Sequence, residues 1–180
     1  MVRLRTQELA DLPEYDNHPY LRYMPEKNVR KWRAVTRKFK RLPSEMRETF
    51  ARAYPRQLDL TKRLAAAGVR LMTGTDGGSQ LGPGLTLREE FGELAKAGFT
   101  PLNILQMTTI NAAEYLGRPD TMGVVEPGRN ADMVVLDANP LESVGNLHEI
   151  VGIVRGGFYY SRQELNGLRD RVAAGRGVLR

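Results

Sequence analysis

With 180 residues, 41% of them hydrophobic and 27% charged, the chain has the length and make-up of a globular protein able to bury a core. It has no cysteine, which excludes a disulfide framework, a thiolate nucleophile and thiolate zinc sites; with two histidines, His18 and His148, any metal site built wholly within it would be carboxylate-rich. The net charge of +6 is uneven: residues 1–70 carry 17 Lys and Arg against 8 Asp and Glu, whereas residues 71–180 carry 10 against 13.

Residues 1–25, with Pro13, Pro19 and Pro25 and no sustained period, read as loop with short helical turns. From Asn28 onward, Val29, Trp32, Val35, Phe39 and Leu42 recur at spacings of three and four, which predicts an amphipathic helix with a Lys and Arg outer face. A second helical stretch is expected after Pro43. A further helix is expected over 58–67, with Leu60 and Leu64 on its buried side and Gly68 at its C-terminal cap. Residues 69–73 are apolar or β-branched and predict a strand that runs into the turn cluster Gly74-Thr75-Asp76-Gly77-Gly78.

Thr86 and Glu89 have the spacing of a capping box for a helix reaching Ala97 and closed by Gly98. Thr100-Pro101 repeats the start signal, with Leu102, Leu105, Thr109, Ala112, Ala113 and Leu116 as the expected buried face of a helix ending at Gly117. Beyond Met122 the period changes to two. A strand is expected over 133–136, a turn at Asn139-Pro140, and a hairpin pairing 150–154 with 158–160 across Gly156-Gly157. Residues 162–180 read as a polar helix or tail.

A strand, a carboxylate in a glycine-rich turn and a capped helix make one β/α unit, and in α/β barrels the C-terminal end of the strand faces the active site. Asp76 occupies that position. An aspartate there can hold a divalent metal and accept a proton from activated water. It can equally be an Asx-turn residue that stabilises the bend, and on local sequence alone that is the stronger reading, because Asp-Gly is a common turn dipeptide.

The segment GVRLMTGTD (68–76) resembles the eighth barrel strand of the amidohydrolase superfamily, in which the aspartate ending that strand binds the metal centre. TINAAEYLG (109–117) and GVVEPGRNADMVVLDANPLE (123–142) are similar to the last barrel helix and the return into a small β-sandwich domain. IVGIVRGGFYYSR (150–162) is similar to the closing hairpin, and LRYMPEKNVRKW (21–32) to the stretch after the seventh strand in one bacterial, imidazolonepropionase- and prolidase-like branch. The resemblance implies an α/β fold: the C-terminal part of a TIM-type (β/α)8 barrel over 1–121, part of a β-sandwich over 122–161, and a helix or tail over 162–180. It implies hydrolysis of an amide-type or cyclic-amide carbon–nitrogen bond with one or two divalent ions, usually zinc. Asp76 is then both the catalytic proton carrier and a metal ligand.

The family also uses an H-x-H pair from the first strand, commonly a carboxylated lysine, and two further histidines, and none of these has a counterpart here. His18 lies in a proline-bounded loop and His148 precedes a strand, so neither has the position of a ligand and a surface or hydrogen-bonded histidine is the favoured reading for both. Arg88 stands where relatives often have histidine before the acidic pair equivalent to Glu89 and Glu90. The resemblance therefore implies an incomplete enzyme, inactive alone, that associates with itself or with a complementing chain and acts on a small-molecule or peptide-like substrate. A non-catalytic scaffold remnant is the alternative.

No nucleic-acid partner is expected, because Trp32 and Phe39 in the basic run 30–41 fall on the apolar stripe. The glycine-rich run 77–84 lacks the ending of a nucleotide-binding loop. No apolar run approaches the roughly 20 residues of a membrane span, and no signal peptide is read at residues 1–7. A soluble, by default cytoplasmic, protein is expected, any leader of a longer form lying upstream.

Overall fold

The computed structural model describes residues 17–75 and 84–175. A 3-10 turn, Pro19–Tyr23, leads into helix α1, Glu26–Lys40, and helix α2, Ser44–Ala66. After an extended segment come α3, Leu85–Lys96; α4, Pro101–Thr108; and α5, Ile110–Tyr115. Strand β1, Met133–Leu136, a 3-10 turn at Val144–His148, strands β2, Ile150–Arg155, and β3, Phe158–Ser161, and helix α6, Arg162–Ala174, complete the order. No helix among the described residues is long and apolar enough to cross a membrane.

The stripe predicted for α1 is present: Val29 and Trp32 are buried with Leu21 and Met24 in one apolar cluster. Thr36 joins that face because its hydroxyl donates to the Trp32 carbonyl at 3.1 Å, which satisfies a polar group that would otherwise oppose burial. Phe39 meets Phe50 of α2 edge-on, ring centres 6.4 Å apart. The two helices expected between residues 43 and 67 are one helix of 23 residues that runs through Pro55. Proline has no N–H, so α2 lacks one rung of its ladder at this point yet continues.

The burial expected in α2 is not found. None of its residues is buried, and Leu60 and Leu64 are 55% and 39% exposed. The strand expected over 69–73 is also not formed. Residues 69–75 are extended, with exposure alternating from Arg70 onward, but among the described residues they pair with no strand. A strand is defined by its neighbour's hydrogen bonds, so an apolar, β-branched run supplies only half of what makes one.

Helix α3 starts from Gly84, not from Thr86; Thr86 is already inside the helix and buried, so its capping box with Glu89 is not made. The Thr100 cap is made, with Asn103 as the reciprocal partner and Pro101 at the first helical position. The helix then breaks at Thr109 (φ −118°, ψ −82°), and this rotates the buried face. Ile104, Met107 and Ala113 are buried, whereas Leu102 and Leu116, expected inside, are more than half exposed.

Ile104 is completely buried and sits at the centre of the larger core, with Phe91, Leu94, Met107 and Leu147 around it. Leu71, Leu136 and Val144 pack on its margin, so this core joins α3 and α4 to the sheet and crosses residue 121. The sheet has the order β1-β2-β3 and is antiparallel throughout, with a register shift between Val135 and Leu136. Arg155 pairs with Phe158 across Gly156-Gly157, both at positive φ (57° and 83°), the pair of conformations a two-residue type I′ turn requires and glycine adopts without strain. The Tyr159 ring lies over Gly152 and fills the space a Cβ there would occupy. Ser161 and Glu164 form the capping box of α6, whose Arg169 hydrogen-bonds the Tyr23 hydroxyl at 3.3 Å and ties the helix back to the first turn.

Two substitutions test this packing. Ile104→Ala is expected to cost about 2–5 kcal/mol, as for other fully buried side chains cut to alanine. Gly123 has φ +98°, and a Cβ there would meet the Ala113 Cβ at 2.8 Å and the Ile110 Cα at 3.3 Å. Gly123→Ala is therefore expected to lose about 1–3 kcal/mol from strain and overpacking together. Denaturant midpoints of the two variants against the parent chain measure both.

Candidate active site and family

The segment that ends at Thr75 is held from one side. The Asn111 side-chain amide donates to the Leu71 carbonyl at 2.7 Å, and the Thr73 N–H donates to the Met107 carbonyl at 3.2 Å. Leu71 packs at the edge of the core, whereas Arg70, Met72 and Gly74 are exposed. The segment thus has one side turned to the helices and one turned away. Asp76, the expected metal ligand and proton carrier, lies outside the described residues, as does the glycine-rich run through residue 83.

On the far side of that gap, the first turns of α3 carry three charged residues in succession. Arg88 donates from Nε to the His148 Nδ1 at 3.1 Å and from Nη2 to the His148 carbonyl at 3.3 Å. A single guanidinium therefore fastens the helix to the turn before β2. Glu89 faces His18, with Oε1 and Nε2 3.8 Å apart, while His18 Nδ1 accepts from the Tyr20 N–H at 3.4 Å. Both histidines are held in hydrogen-bonded settings.

Glu90 and Glu93 are 6% and 5% exposed, a buried pair the sequence reading did not single out. The Tyr54 hydroxyl donates to Glu93, and Lys96 Nζ lies 2.9 Å from its other oxygen, so α2 and α3 are joined through this carboxylate. A signal was present, because Glu90 falls within the stripe formed by Leu87, Phe91 and Leu94 at helical spacing.

Among the described residues no three His, Cys, Asp or Glu side chains come together in a way that could hold a metal ion. Zinc takes three or four protein donors. The described donors do not fit a complete metal centre, and Asp76 could supply one ligand of it, not the set.

The amidohydrolase family model matches residues 45–158. The chain belongs to the amidohydrolase family. Among curated relatives it is 32% identical over 90 residues to the 5-methylthioadenosine/S-adenosylhomocysteine deaminase of Teredinibacter turnerae, covering 46% of this chain and 20% of that protein. It is 37% identical over 75 residues to the imidazolonepropionase of Thermoplasma acidophilum, covering 39% of this chain and 18% of that one. Of solved structures, bottromycin amidohydrolase superposes with a TM-score of 0.76 at 22% identity, over 97% of this chain and 39% of its own length. That likeness assigns a TIM-barrel-type fold. The chain thus spans about a fifth of the length of these curated amidohydrolases and about two fifths of the solved one.

The electrostatics around α3 give a pH dependence whose components oppose each other. Burial lowers the pKa of His148, the Arg88 charge lowers it further and Glu149 partly offsets this; burial alone lowers His18. As the pH falls below the ordinary histidine value of 6.5, the unfolded chain takes up these protons first. The histidine contribution to stability is therefore full above that value and is lost as pH falls through the lower folded pKa values. Burial, and then the neighbouring Glu93, raise Glu89, so its contribution is present below its ordinary value of 4.5 and is lost as pH rises through the folded one. With only two histidines in the chain, proton NMR resolves each. His148 is expected to titrate below the free imidazole, and Arg88→Gln to move that midpoint upward while leaving His18 in place.

Proposed function

We propose that this chain forms part of a metal-dependent amidohydrolase that hydrolyses an amide-type or cyclic-amide carbon–nitrogen bond, with Asp76 as a metal ligand and as the group that carries the proton between the two halves of the reaction. Membership of the amidohydrolase family is the single observation that carries this reading. Two features of the chain support the role given to Asp76. In the sequence it directly follows residues 70–75, where Arg70, Met72 and Gly74 are exposed and Leu71, Thr73 and Thr75 are half-buried. It also comes one residue after a segment whose backbone is fastened by Asn111 and Met107.

The chemistry asked of Asp76 is acid–base transfer. Its carboxylate takes a proton from the attacking water as the new carbon–oxygen bond forms, then delivers that proton to the nitrogen as the carbon–nitrogen bond breaks, so the balance closes on one residue. The other donors to a divalent ion, zinc in the common case, come from outside the described residues, and one or two ions are compatible with this. The substrate is a small or peptide-like molecule. The deaminase and imidazolonepropionase relatives make nitrogen heterocycles a reasonable first class to assay.

The test is made on the enzyme with its full barrel present. Asp76→Asn is expected to lower kcat by about 10²–10⁴-fold, the range for removing a general acid–base group. Turnover of cyclic-amide and N-acyl substrates, with metal content measured on the same samples, reads both roles. Undiminished hydrolysis by Asp76→Asn removes Asp76 from the mechanism.

A further inference from the structure

We propose that the outward face of α1 holds double-stranded nucleic acid through its phosphate backbone, an activity separate from the hydrolase reading. At about 100° per residue, α1 turns two rows of cations to solvent. Arg30, Arg33, Arg37 and Arg41 form one row, and Lys27, Lys31 and Lys38 form the other about a quarter turn away; all are exposed. Glu26 and Ala34 are the other exposed residues of that face. Among the described residues none of these seven cationic side chains makes an ion pair. Cations elsewhere are paired: Arg52 with Glu48, Arg63 with Asp59, Arg70 with Glu114 and Arg155 with Asp132. The face also works against its own helix. Like charges one turn apart, as at Lys27 and Lys31 or Arg33 and Arg37, repel and destabilise it. Arg37, Lys38 and Arg41 suit the negative C-terminal end of the helix dipole, but Lys27 and Arg30 stand at its positive end. Helix formation does not account for them, and a polyanion laid along the face relieves both penalties.

The make-up of the face identifies the occupant. Lys and Arg are almost never fully buried unless paired, so whatever covers these rows brings negative charge. Trp32 is buried and Phe39 half-buried on the other side of the helix, in the apolar stripe. No ring is offered for stacking a base, the device on which single-strand binding relies. Those two rings count against base stacking and leave backbone contacts open. Nor does the face carry a large apolar side chain that could enter a lipid layer. Guanidinium forks match phosphates in pairs, and a duplex supplies one phosphate for about every 1.7 Å of its length. The Arg row runs along about 17 Å of α1, and the two rows flank Ala34 on a helix about 10–12 Å across. The major groove of B-DNA is about 12 Å wide with a phosphate strand on each side, so one row meets each strand with the small Ala34 between them. The rest of the molecule does not oppose this, because the excess cations of the chain lie within residues 1–70.

Fluorescence anisotropy of a labelled, mixed-sequence DNA duplex, titrated with the full chain between about 50 and 200 mM salt, tests this. Each phosphate held contributes about 0.9 to the fall of log affinity with log salt. With seven cations available, the expected slope is steeper than about −3 and reaches about −6. Arg33→Gln combined with Arg37→Gln is expected to weaken binding about tenfold or more at about 100 mM salt and to reduce the slope by about 2. Lys27→Gln combined with Lys31→Gln is expected to do the same from the other row. Both pairs leave the thermal midpoint unchanged or raise it, because repulsion along the helix is relieved. A charge-matched control, Arg118→Gln combined with Arg162→Gln, removes exposed cations away from α1 and is expected to leave the slope in place. Equal weakening by the control pair overturns the proposal, since net charge alone then explains the binding. A slope shallower than about −3 also overturns it. So does tighter binding to the single strand, or to vesicles containing phosphatidylserine, than to the duplex.

Discussion

The complete burial of Ile104 is the contact on which the described architecture turns. Its side chain is reached from α3 by Phe91 and Leu94, from its own helix by Met107, and from the turn ahead of β2 by Leu147. The helical and sheet halves are joined further by the Arg88 clamp on His148, by the close approach of Gly123 to Ala113 and Ile110, and by the Arg169 hydrogen bond to Tyr23. The extended run that precedes Asp76 is attached to the same core through Leu71 and through the amide of Asn111. The placement of residues 69–75 thus rests on the apolar packing of Leu71 together with the hydrogen bonds to Asn111 and Met107.

The arrangement also explains why so many charges near α3 are tolerated at low exposure. Glu93 is satisfied by a hydroxyl and an ammonium, and Arg88 is spread over a ring nitrogen and a carbonyl. Buried charges survive when hydrogen bonds replace the water they lose. These groups have structural duties: they fasten α3 to α2 and to the turn before β2.

Much of the local structure was legible because it depends on near neighbours in sequence. The α1 stripe, the Thr100-Pro101 start, the Gly156-Gly157 hairpin and the β1 strand all follow from spacing and turn chemistry within a few residues. What was not legible depended on groups far away. Leu60 and Leu64 have the pattern of an inward face, but burial needs something to pack against. Residues 69–73 have strand composition, but no neighbouring strand among the described residues. The break at Thr109, with the rotated face that makes Leu102 exposed and Ile104 buried, has no clear mark in the sequence. For the candidate site, the family resemblance selected Asp76, whereas local sequence favoured a turn role. The acidic side of α3 was readable in part, from Glu90 standing in an apolar row.

The sheet contains one more constraint with a reach beyond stability. Where Tyr159 covers Gly152, the ring takes the volume that any side chain at 152 would claim. The two positions on adjacent strands are therefore not free to drift separately through descent: a bulkier residue at 152 is admitted only with a smaller or swung-away one at 159. Paired substitution at 152 and 159 across divergent sequences would be the historical trace of a single shared pocket of space.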